Sequence, residues 1–307
     1  MNTSFDLSLV VCTYNREKFL LDCLDSIASQ TLERDRFELI IVNNKSTDST
    51  ADICDRFMKK TTELNTFYFL EEKQGLSHAR NRGIQEAKGR IITFIDDDAI
   101  AQSDFLERIL QFFEEYPNAT ACGGKVLAKF ETKAPKWRNK FSDSLYFSHY
   151  DKGDQLFQYK GNDYPIGCNM SFKASFYAED VAFDPNLGRK GKSGAGFEEK
   201  AVFQTLRERG LAYYYDPKQV VQHQIDDFRC EKPYTTKLSR GLGISHRKMN
   251  CDHGNIWLCL MSFVSIIFKF GASVILAIAY LFLGKPAVSK QLIWFRWLVI
   301  LGFLTKK

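Results

Sequence analysis

The 307-residue sequence predicts an α/β fold in which a parallel sheet is covered by helices and followed by an apolar helical tail. Two observations support this prediction. The first 130 residues alternate short β-branched runs with amphipathic segments of helical period. The stretch Ile256–Leu283 then holds 28 residues with a single charge, Lys269.

Four strands are predicted in the first half of the chain: Leu7–Cys12, Phe37–Val42, Thr66–Leu70 and Arg90–Ile95. Apolar residues at three- and four-residue intervals predict four helices: Arg16–Ser29, Thr47–Lys59, Leu76–Lys88 and Ser103–Tyr116. We expect Gly89 to end the third helix in a left-handed conformation and Ser103 to cap the start of the fourth. After a stretch without clear period, from 130 to 195, a further helix and two strands are predicted: Glu198–Arg209, Leu211–Tyr215 and Gln219–Gln222.

The tail has the composition of a membrane segment. At 1.5 Å per residue, a helix over Ile256–Leu283 would span about 42 Å, more than the roughly 30 Å of a hydrocarbon core. Lys269 divides it into two arms too short to span alone, so a re-entrant or interfacial helix pair is an alternative, and a buried hairpin of a soluble fold is another. A second apolar run, Leu292–Leu304, holds Arg296 between two tryptophans, which is typical of the headgroup interface. The sequence favours membrane attachment.

Charge and cysteine usage exclude other classes of protein. The net charge is +5, but residues 255–307 carry six basic and no acidic side chains, and the first 254 residues carry 36 basic and 37 acidic ones. No nucleic-acid partner is expected, because phosphate-binding surfaces need a cationic excess. The eight cysteines lack metal-ligand spacing and are predicted to be reduced. The first residues show no basic region followed by an apolar run, so no secretory signal is predicted.

Four polar clusters follow predicted strands or begin predicted helices, at the edge where open parallel sheets bind ligands. Thr13-Tyr14-Asn15-Arg16 offers backbone amides, an aromatic face and a cation that could hold a nucleotide. Asn43–Asp48 offers amide groups for a base, and Gln74–Gly83 brings small and polar residues to a helix start. Each of these clusters is also compatible with an ordinary capped turn.

The fourth cluster, Asp96-Asp97-Asp98, follows an apolar strand directly. Three adjacent carboxylates repel one another, and a hard divalent cation removes that repulsion while keeping coordination positions open for a diphosphate. The sequence therefore predicts a Mn²⁺ or Mg²⁺ site here.

Together these clusters, in this order and spacing, resemble the inverting family 2 glycosyltransferases of the A-type nucleotide-sugar fold. Further segments that resemble the family follow: Gly167-Cys168-Asn169, Phe183-Asp184-Pro185, Glu198-Glu199 and Val220-Val221-Gln222-His223. The resemblance covers roughly residues 6–225 and implies a Rossmann-like mixed sheet flanked by helices. The family has Glu-Asp where this chain has Glu198-Glu199.

The resemblance also implies roles for individual residues. The expected nucleotide-sugar-binding residues are Thr13, Tyr14, Asn15, Arg16, Asn44, Arg80, Asp96 and Asp97. Asp98 is expected to hold the metal, and His223 is a second candidate ligand, although a histidine at a strand end is as often structural. Glu199 is expected to be the catalytic base, with Glu198 beside it.

The residues themselves agree with that chemistry. Inverting sugar transfer needs a base that takes the proton of the acceptor hydroxyl and a cation that stabilises the departing diphosphate. A carboxylate at a helix N-terminus stays ionised, although Glu198 and Glu199 could also merely cap the helix. The glycine-rich cationic segment Gly188–Gly196 is either a lid over the diphosphate or a solvated loop. It is not a P-loop, because Asn186 stands where that motif requires glycine.

The prediction is a metal-dependent enzyme that moves one sugar from a nucleotide diphosphate sugar, expected to be UDP-linked, to a hydroxyl of a surface polysaccharide or lipid-linked glycan. Transfer to polyprenyl phosphate and a non-catalytic sugar-nucleotide-binding scaffold are the alternatives. The expected domains are residues 1–225, with a nucleotide-binding half (1–130) and an acceptor half (131–225), a connecting segment (226–254) and membrane-associated helices (255–307). The expected location is the cytoplasmic face of the cell membrane.

Overall fold

The computed structural model describes residues 5–187, 198–251 and 256–305. These residues form two compact units. One, here termed the sheet unit, lies within Met1–Lys129 and Tyr150–Gln224, and the other, the helical unit, lies within Phe130–His149 and Ile225–Lys307.

The elements follow in chain order. Up to the sixth strand they are β1 (Phe5–Thr13), α1 (Leu20–Ala28), β2 (Phe37–Asn43), α2 (Thr50–Lys60), β3 (Thr66–Leu70), α3 (Leu76–Glu86), β4 (Gly89–Asp96), β5 (Ala99–Ala101), α4 (Phe105–Glu115) and β6 (Ala119–Phe130). The remainder are α5 (Asp143–Phe147), β7 (Phe157–Gln158), β8 (Met170–Lys173), α6 (Ala174–Tyr177), α7 (Glu198–Glu208), β9 (Ala212–Ile225), a 3₁₀ turn (Asp227–Cys230), α8 (Lys232–Cys251), α9 (Ile256–Phe282) and α10 (Pro286–Leu304).

The strands form one mixed sheet in the order β3-β2-β1-β4-β8-β6-β9-β5, with β7 beside β9. β1 pairs in parallel with β2 and β4, and β2 with β3. The pairs β4–β8, β6–β8, β5–β9 and β7–β9 are antiparallel. The predicted α/β fold with a mixed sheet is therefore confirmed, and all four strands predicted in the first half of the chain form its parallel part.

Two apolar cores cover the two faces of the sheet, because successive strand residues point to opposite sides. Leu9 and its neighbours two residues away pack against α1, α2 and α4. Val10 packs on the other face with residues of α3, α6 and α7. In α1 the buried residues Leu20, Cys23, Leu24 and Ile27 recur at helical spacing, which is why this segment folds as a helix on the sheet.

Several element boundaries differ from the prediction. α3 ends at Glu86, and Gly89 lies in β4 instead of capping the helix. A Cβ atom at Gly89 would lie 2.4 Å from the backbone nitrogen of Ser8, so the close approach of two strands requires this glycine. α4 begins at Phe105, after Asp104 at the N-cap position, and not after Ser103.

The antiparallel half of the sheet was largely missed. β6 and β8 were not predicted, and the two strands expected after α7 form one strand, β9, that runs through Pro217. At Gly124 in β6, a Cβ atom would lie 2.0 Å from the carbonyl oxygen of Gln219, so glycine allows the strands to approach there. Glycine and proline have low strand propensity, so the local sequence does not predict these strands. They form because they pair with strands that are distant in sequence, such as β6 with β9 about 100 residues away.

In the helical unit, α8 packs closely along α10. A Cβ atom at Gly243 would lie 2.1 Å from the carbonyl oxygen of Val299, and one at Gly302 would lie 2.1 Å from that of Arg240. Glycines at the crossing thus let the two helix backbones approach. The segment 226–254, expected to be a connecting segment, is mostly this helix.

The tail forms two helices, and α9 continues without a break through Lys269 and Gly271. Within the described ranges, α9 and α10 are the two helices long and apolar enough to span a membrane. The most apolar part of α9 is only 17% buried and that of α10 is 50% buried, so α9 leaves most of its apolar surface uncovered by the described residues. The two helices are consistent with a membrane-associated tail.

One cysteine pair differs from the prediction that all eight are reduced. Cys251 at the end of α8 and Cys259 in the first turn of α9 form a disulfide. The six cysteines at positions 12, 23, 54, 122, 168 and 230 are free, as predicted.

The glycine contact between α8 and α10 generates a stability prediction. Gly243→Ala should lower the apparent Tm of the purified full-length protein in detergent, because overpacking against backbone atoms costs about 1–3 kcal/mol. Gly241→Ala is the matched control, since a Cβ atom there meets no atom within 4 Å. That variant should be neutral or slightly stabilising, because alanine is the better helix former. Equal Tm values for the two variants would contradict the close helix contact.

Candidate active site

The carboxyl ends of the central strands bring the predicted residues to one edge of the sheet. In the strand register, Cys12 lies beside Asp96 and Thr13 beside Asn43. On the antiparallel side, β5 pairs with β9 so that Ala99 lies opposite His223. The backbone N–H of Gln224 donates to the carbonyl of Asp98 at 2.8 Å. Residues separated by more than 200 positions therefore meet at one edge.

Asp96, Asp98 and His223 form a group that fits a divalent cation. One ligand atom from each lies within 4.8 Å of the others, and both Asp98 and His223 are buried. Nε2 of His223 lies 3.0 Å from Oδ1 of Asp98. Two carboxylates and an imidazole suit Mn²⁺ or Mg²⁺ better than a soft metal. The structure thus brings together both predicted metal ligands and adds Asp96, which was expected to contact the nucleotide sugar.

Arg16 partly neutralises the same acidic turn. Its guanidinium lies 3.1 Å from Oδ2 of Asp98 and 3.3 Å from Oδ1 of Asp97. Burial raises the pKa of the Asp97 carboxyl, Arg16 lowers it and the charge of Asp98 raises it further. A cation held by the neighbouring aspartates would favour the ionised form of Asp97. The acidic turn therefore carries more negative charge than Arg16 alone neutralises.

Arg80, expected at the nucleotide sugar, is buried among carboxylates, with 2% of its side chain exposed. Nη1 lies 3.3 Å from Oε1 of Glu198, and Nη2 lies 3.1 Å from Oε1 of Glu199 and 3.7 Å from Oδ1 of Asp96. The ring of Phe183 packs 5.2 Å from the guanidinium carbon. Burial opposes the charge, but the two glutamates and Asp96 outweigh it and raise the pKa of Arg80. Arg80 thereby links the acidic turn to the glutamate pair.

The two glutamates differ in access to solvent. Both lie in the first turn of α7, where the helix dipole favours negative charge. The side chain of Glu198 is 1% exposed and that of Glu199 is 22% exposed. Only Glu199 of this pair is therefore open to a second molecule.

Gly167 is a site residue whose role the sequence did not identify. A Cβ atom at this position would lie 1.8 Å from Oε1 of Glu199 and 2.5 Å from Nη2 of Arg80. The absence of a side chain is thus what allows the Arg80–Glu199 pair to form. The motif Gly167-Cys168-Asn169 marks this segment in the sequence, but it does not indicate which residues Gly167 contacts.

Asn169, from the same motif, donates to the carbonyls of Lys125 and Gln219, 3.0 Å away in each case, and so links the antiparallel strands.

The remaining predicted nucleotide residues lie in two loops at the same edge. Thr13 is buried, whereas Tyr14 is 39% exposed. Asn15, in a left-handed conformation, accepts a hydrogen bond from the backbone N–H of Thr47 at 2.8 Å, which joins the two loops.

The buried side chain of Asn44 is engaged within the protein. Its amide donates to the carbonyls of Glu71 and Lys73, and its oxygen accepts from the N–H of Gly75 at 2.7 Å. The nucleotide contact expected of Asn44 stays a prediction, and its two amide hydrogens are already used. The predicted lid, Gly188–Gly196, lies outside the described residues.

Comparison with known proteins identifies the fold and the family. The sequence profile of glycosyl transferase family 2 matches residues 8–180. The chain is 28% identical over 253 residues to a glucosyl-dolichyl phosphate glucuronosyltransferase of Haloferax volcanii, and the match covers 80% of this chain and 77% of that protein. The chain spans between 13% and 39% of the length of seven further relatives.

Solved structures share the fold at low sequence identity. A mannosyltransferase from Pyrobaculum calidifontis, in complex with GDP-Man and Mn²⁺, has a TM-score of 0.63 and 18% identity, with 97% of this chain and 85% of that chain covered. TarS 1–349 of S. aureus, in complex with UDP-GlcNAc, has a TM-score of 0.54 and 16% identity, with 97% and 89% covered. The fold is that of the A-type glycosyltransferases. With the profile match covering more than half of its residues, the chain belongs to glycosyl transferase family 2 and is a glycosyltransferase.

Proposed function

We propose that this protein is an inverting, divalent-metal-dependent glycosyltransferase that moves one sugar from a UDP-sugar to a hydroxyl of a lipid-linked saccharide or surface polysaccharide. The observation that carries the proposal is the position of Glu199. Its carboxylate is partly exposed and is fixed by Arg80, which also lies 3.7 Å from a carboxylate of the metal group.

Glu199 acts as the catalytic base in this proposal. An inverting transfer needs one carboxylate that removes a proton from the acceptor hydroxyl as the oxygen attacks the anomeric carbon. The ion pair with Arg80 orients the Glu199 carboxylate at the N-terminus of α7. Glu198, buried against the same guanidinium, is a positioning residue. Because Glu199 is open to solvent and Glu198 is not, the base is the second glutamate of the pair.

Asp98 and His223 hold the metal, with Asp96 as a further ligand. A divalent cation held by these residues would supply positive charge against the negative charge that develops on the departing diphosphate. Arg16, paired with Asp97 and Asp98, is close enough to this group to contribute a second positive charge. The nucleotide then lies along the loops that hold Thr13, Tyr14, Asn15 and Asn44.

The donor and acceptor classes rest on the relatives. The complex of TarS with UDP-GlcNAc supports a UDP-sugar on this fold. The name of the Haloferax relative supports an acceptor that is a saccharide carried on a polyprenyl phosphate lipid. The apolar helices α9 and α10 support membrane attachment. The free cysteines of the sheet unit favour a reducing compartment, so the site is placed on the cytoplasmic side, with residues 1–225 as the catalytic domain and 255–307 as the membrane-associated helices.

Transfer directly to polyprenyl phosphate is the second candidate. Its acceptor oxygen is already ionised and needs no base. A glutamate held in place by a buried arginine favours a hydroxyl acceptor instead.

The function predicts a specific loss in Glu199→Gln. Turnover at saturating donor should fall about 10²–10⁴-fold, because glutamine cannot accept the proton, whereas donor affinity should be retained. The measurement is release of UDP from a panel of UDP-sugars with Mn²⁺ and a polyprenyl-phosphate-linked monosaccharide. Glu198→Gln is the matched control and should lose less. Equally small losses would indicate an acceptor that is already ionised, and a larger loss in Glu198→Gln would place the base on Glu198.

The metal site predicts a difference between neighbouring aspartates. In the wild type, Mn²⁺ should strengthen UDP binding about tenfold or more relative to EDTA, since a cation held by Asp98 and His223 would attract the diphosphate. Asp98→Asn should reduce that ratio to about one. Asp97→Asn, which changes a carboxylate outside the ligand group, should keep it even if UDP binds more weakly. Isothermal titration with and without Mn²⁺ measures both. An unchanged ratio in Asp98→Asn would refute the metal assignment.

A further inference from the structure

The helical unit contains a cavity of about 580 Å³ that the proposed chemistry of the sheet unit does not use. It is lined by aromatic and cationic side chains, among them Trp137, Lys232, Lys290, Gln291, Trp294 and Trp297. None of the described residues that line it is acidic. A cavity with cations and no carboxylate attracts an anion.

The two lysines are available to such an anion. Nζ of Lys232 lies 4.8 Å from the ring centroid of Trp294, and the side chain of Lys290 is exposed. Neither lysine forms an ion pair with any residue in the described part of the chain. Both ammonium groups can therefore donate charge-assisted hydrogen bonds to a ligand.

Trp294 adds an unsatisfied donor. Its Nε1 atom is buried and has no hydrogen-bond partner among the described residues. A buried indole N–H normally finds an acceptor. Because this atom is itself inaccessible from the cavity, a ligand oxygen would reach it only after a rotation of the indole ring.

The walls of the cavity are suited to hydrocarbon. Three of the four tryptophans in the chain line it. Lys290, Trp294 and Trp297 follow at intervals of four and three, which places them on one face of α10, a helix apolar enough to span a membrane. Tryptophan and lysine together are typical of the level at which lipid headgroups lie. A free nucleotide does not need apolar walls, and a neutral glycan does not need two lysines.

We propose that this cavity binds the phosphate and the first isoprenoid units of the lipid carrier that bears the acceptor saccharide. The phosphate accepts hydrogen bonds from Lys232 and Lys290, and the isoprenoid chain packs on the three tryptophans. The ligand class rests on the proposed function, in which the acceptor is lipid-linked. The lining and charge of the cavity do not depend on that function.

The first test is binding, measured by intrinsic tryptophan fluorescence of the full-length protein in phosphatidylcholine nanodiscs. Farnesyl phosphate should give a saturable change. Lys232→Gln and Lys290→Gln should each weaken its binding about tenfold, the typical effect of one charge-assisted hydrogen bond. Lys285→Gln is the matched control, because Lys285 directly precedes α10 and does not line the cavity. It should bind as the wild type does.

Three further ligands separate the possible sources of the phosphate. Farnesol, which has the chain without the phosphate, and inorganic phosphate, which has no chain, should each bind at least tenfold more weakly. Phosphatidylglycerol should not compete with farnesyl phosphate. Equal competition by phosphatidylglycerol, or lysine variants that bind as the wild type does, would overturn the proposal.

Transfer assays distinguish this proposal from the proposed function. In Lys290→Gln the KM for a polyprenyl-linked acceptor should rise about tenfold, with kcat and the KM for the donor unchanged. Lysine-dependent binding without any transfer would leave the cavity proposal standing and refute the proposed acceptor. Transfer with unchanged acceptor KM in both lysine variants would refute the cavity proposal alone.

Discussion

The active site depends on one buried cation. Arg80 pairs with Glu198, Glu199 and Asp96, which come from two segments about 100 residues apart, and a carboxylate pair that is largely withdrawn from water is tolerated only with such a partner. Removing one partner of a buried ion pair typically costs about 3–5 kcal/mol, because the other charge is left without compensation. Arg80 therefore sets the direction of the Glu199 side chain. The ring of Phe183 packs on the buried guanidinium, and Gly167 leaves room for the end of the Glu199 side chain beside it.

The mixed sheet is what brings the acidic turn and its partners together. The parallel strands place Thr13, Asn43 and Asp96 at one edge, since their carboxyl ends are in register. A parallel sheet alone would not supply His223, which reaches Asp98 only because β9 runs antiparallel to β5. The two halves of the sheet thus contribute different parts of the site. The parallel half carries the loops, and the antiparallel half places His223 beside Asp98 and Gly167 beside Glu199.

Much of this arrangement could be predicted from local sequence. The β-branched runs predicted β1 to β4, and three carboxylates after an apolar strand predicted an acidic turn that could hold a metal, because both signals lie within a few residues. What the sequence could not give was pairing over long distances. Arg80 is a helix residue whose partners lie 118 and 119 positions away. Asn44 has the side chain of a base-binding residue but is used to hold three backbone groups. β6 was missed because the glycines that allow its close packing also weaken its strand signal.

In the proposed mechanism the position of Glu199, set by Arg80 and Gly167, determines turnover. Gly167→Ala changes that position, since the three atoms nearest to the added Cβ atom all belong to the ends of those two side chains. The measurement is kcat for sugar transfer, together with the Tm and the affinity for UDP with Mn²⁺. We expect kcat to fall about tenfold to a hundredfold, as is typical of a misplacement of about 1 Å, while Tm and UDP affinity change little. A kcat equal to that of the wild type, with the fold intact, would contradict it.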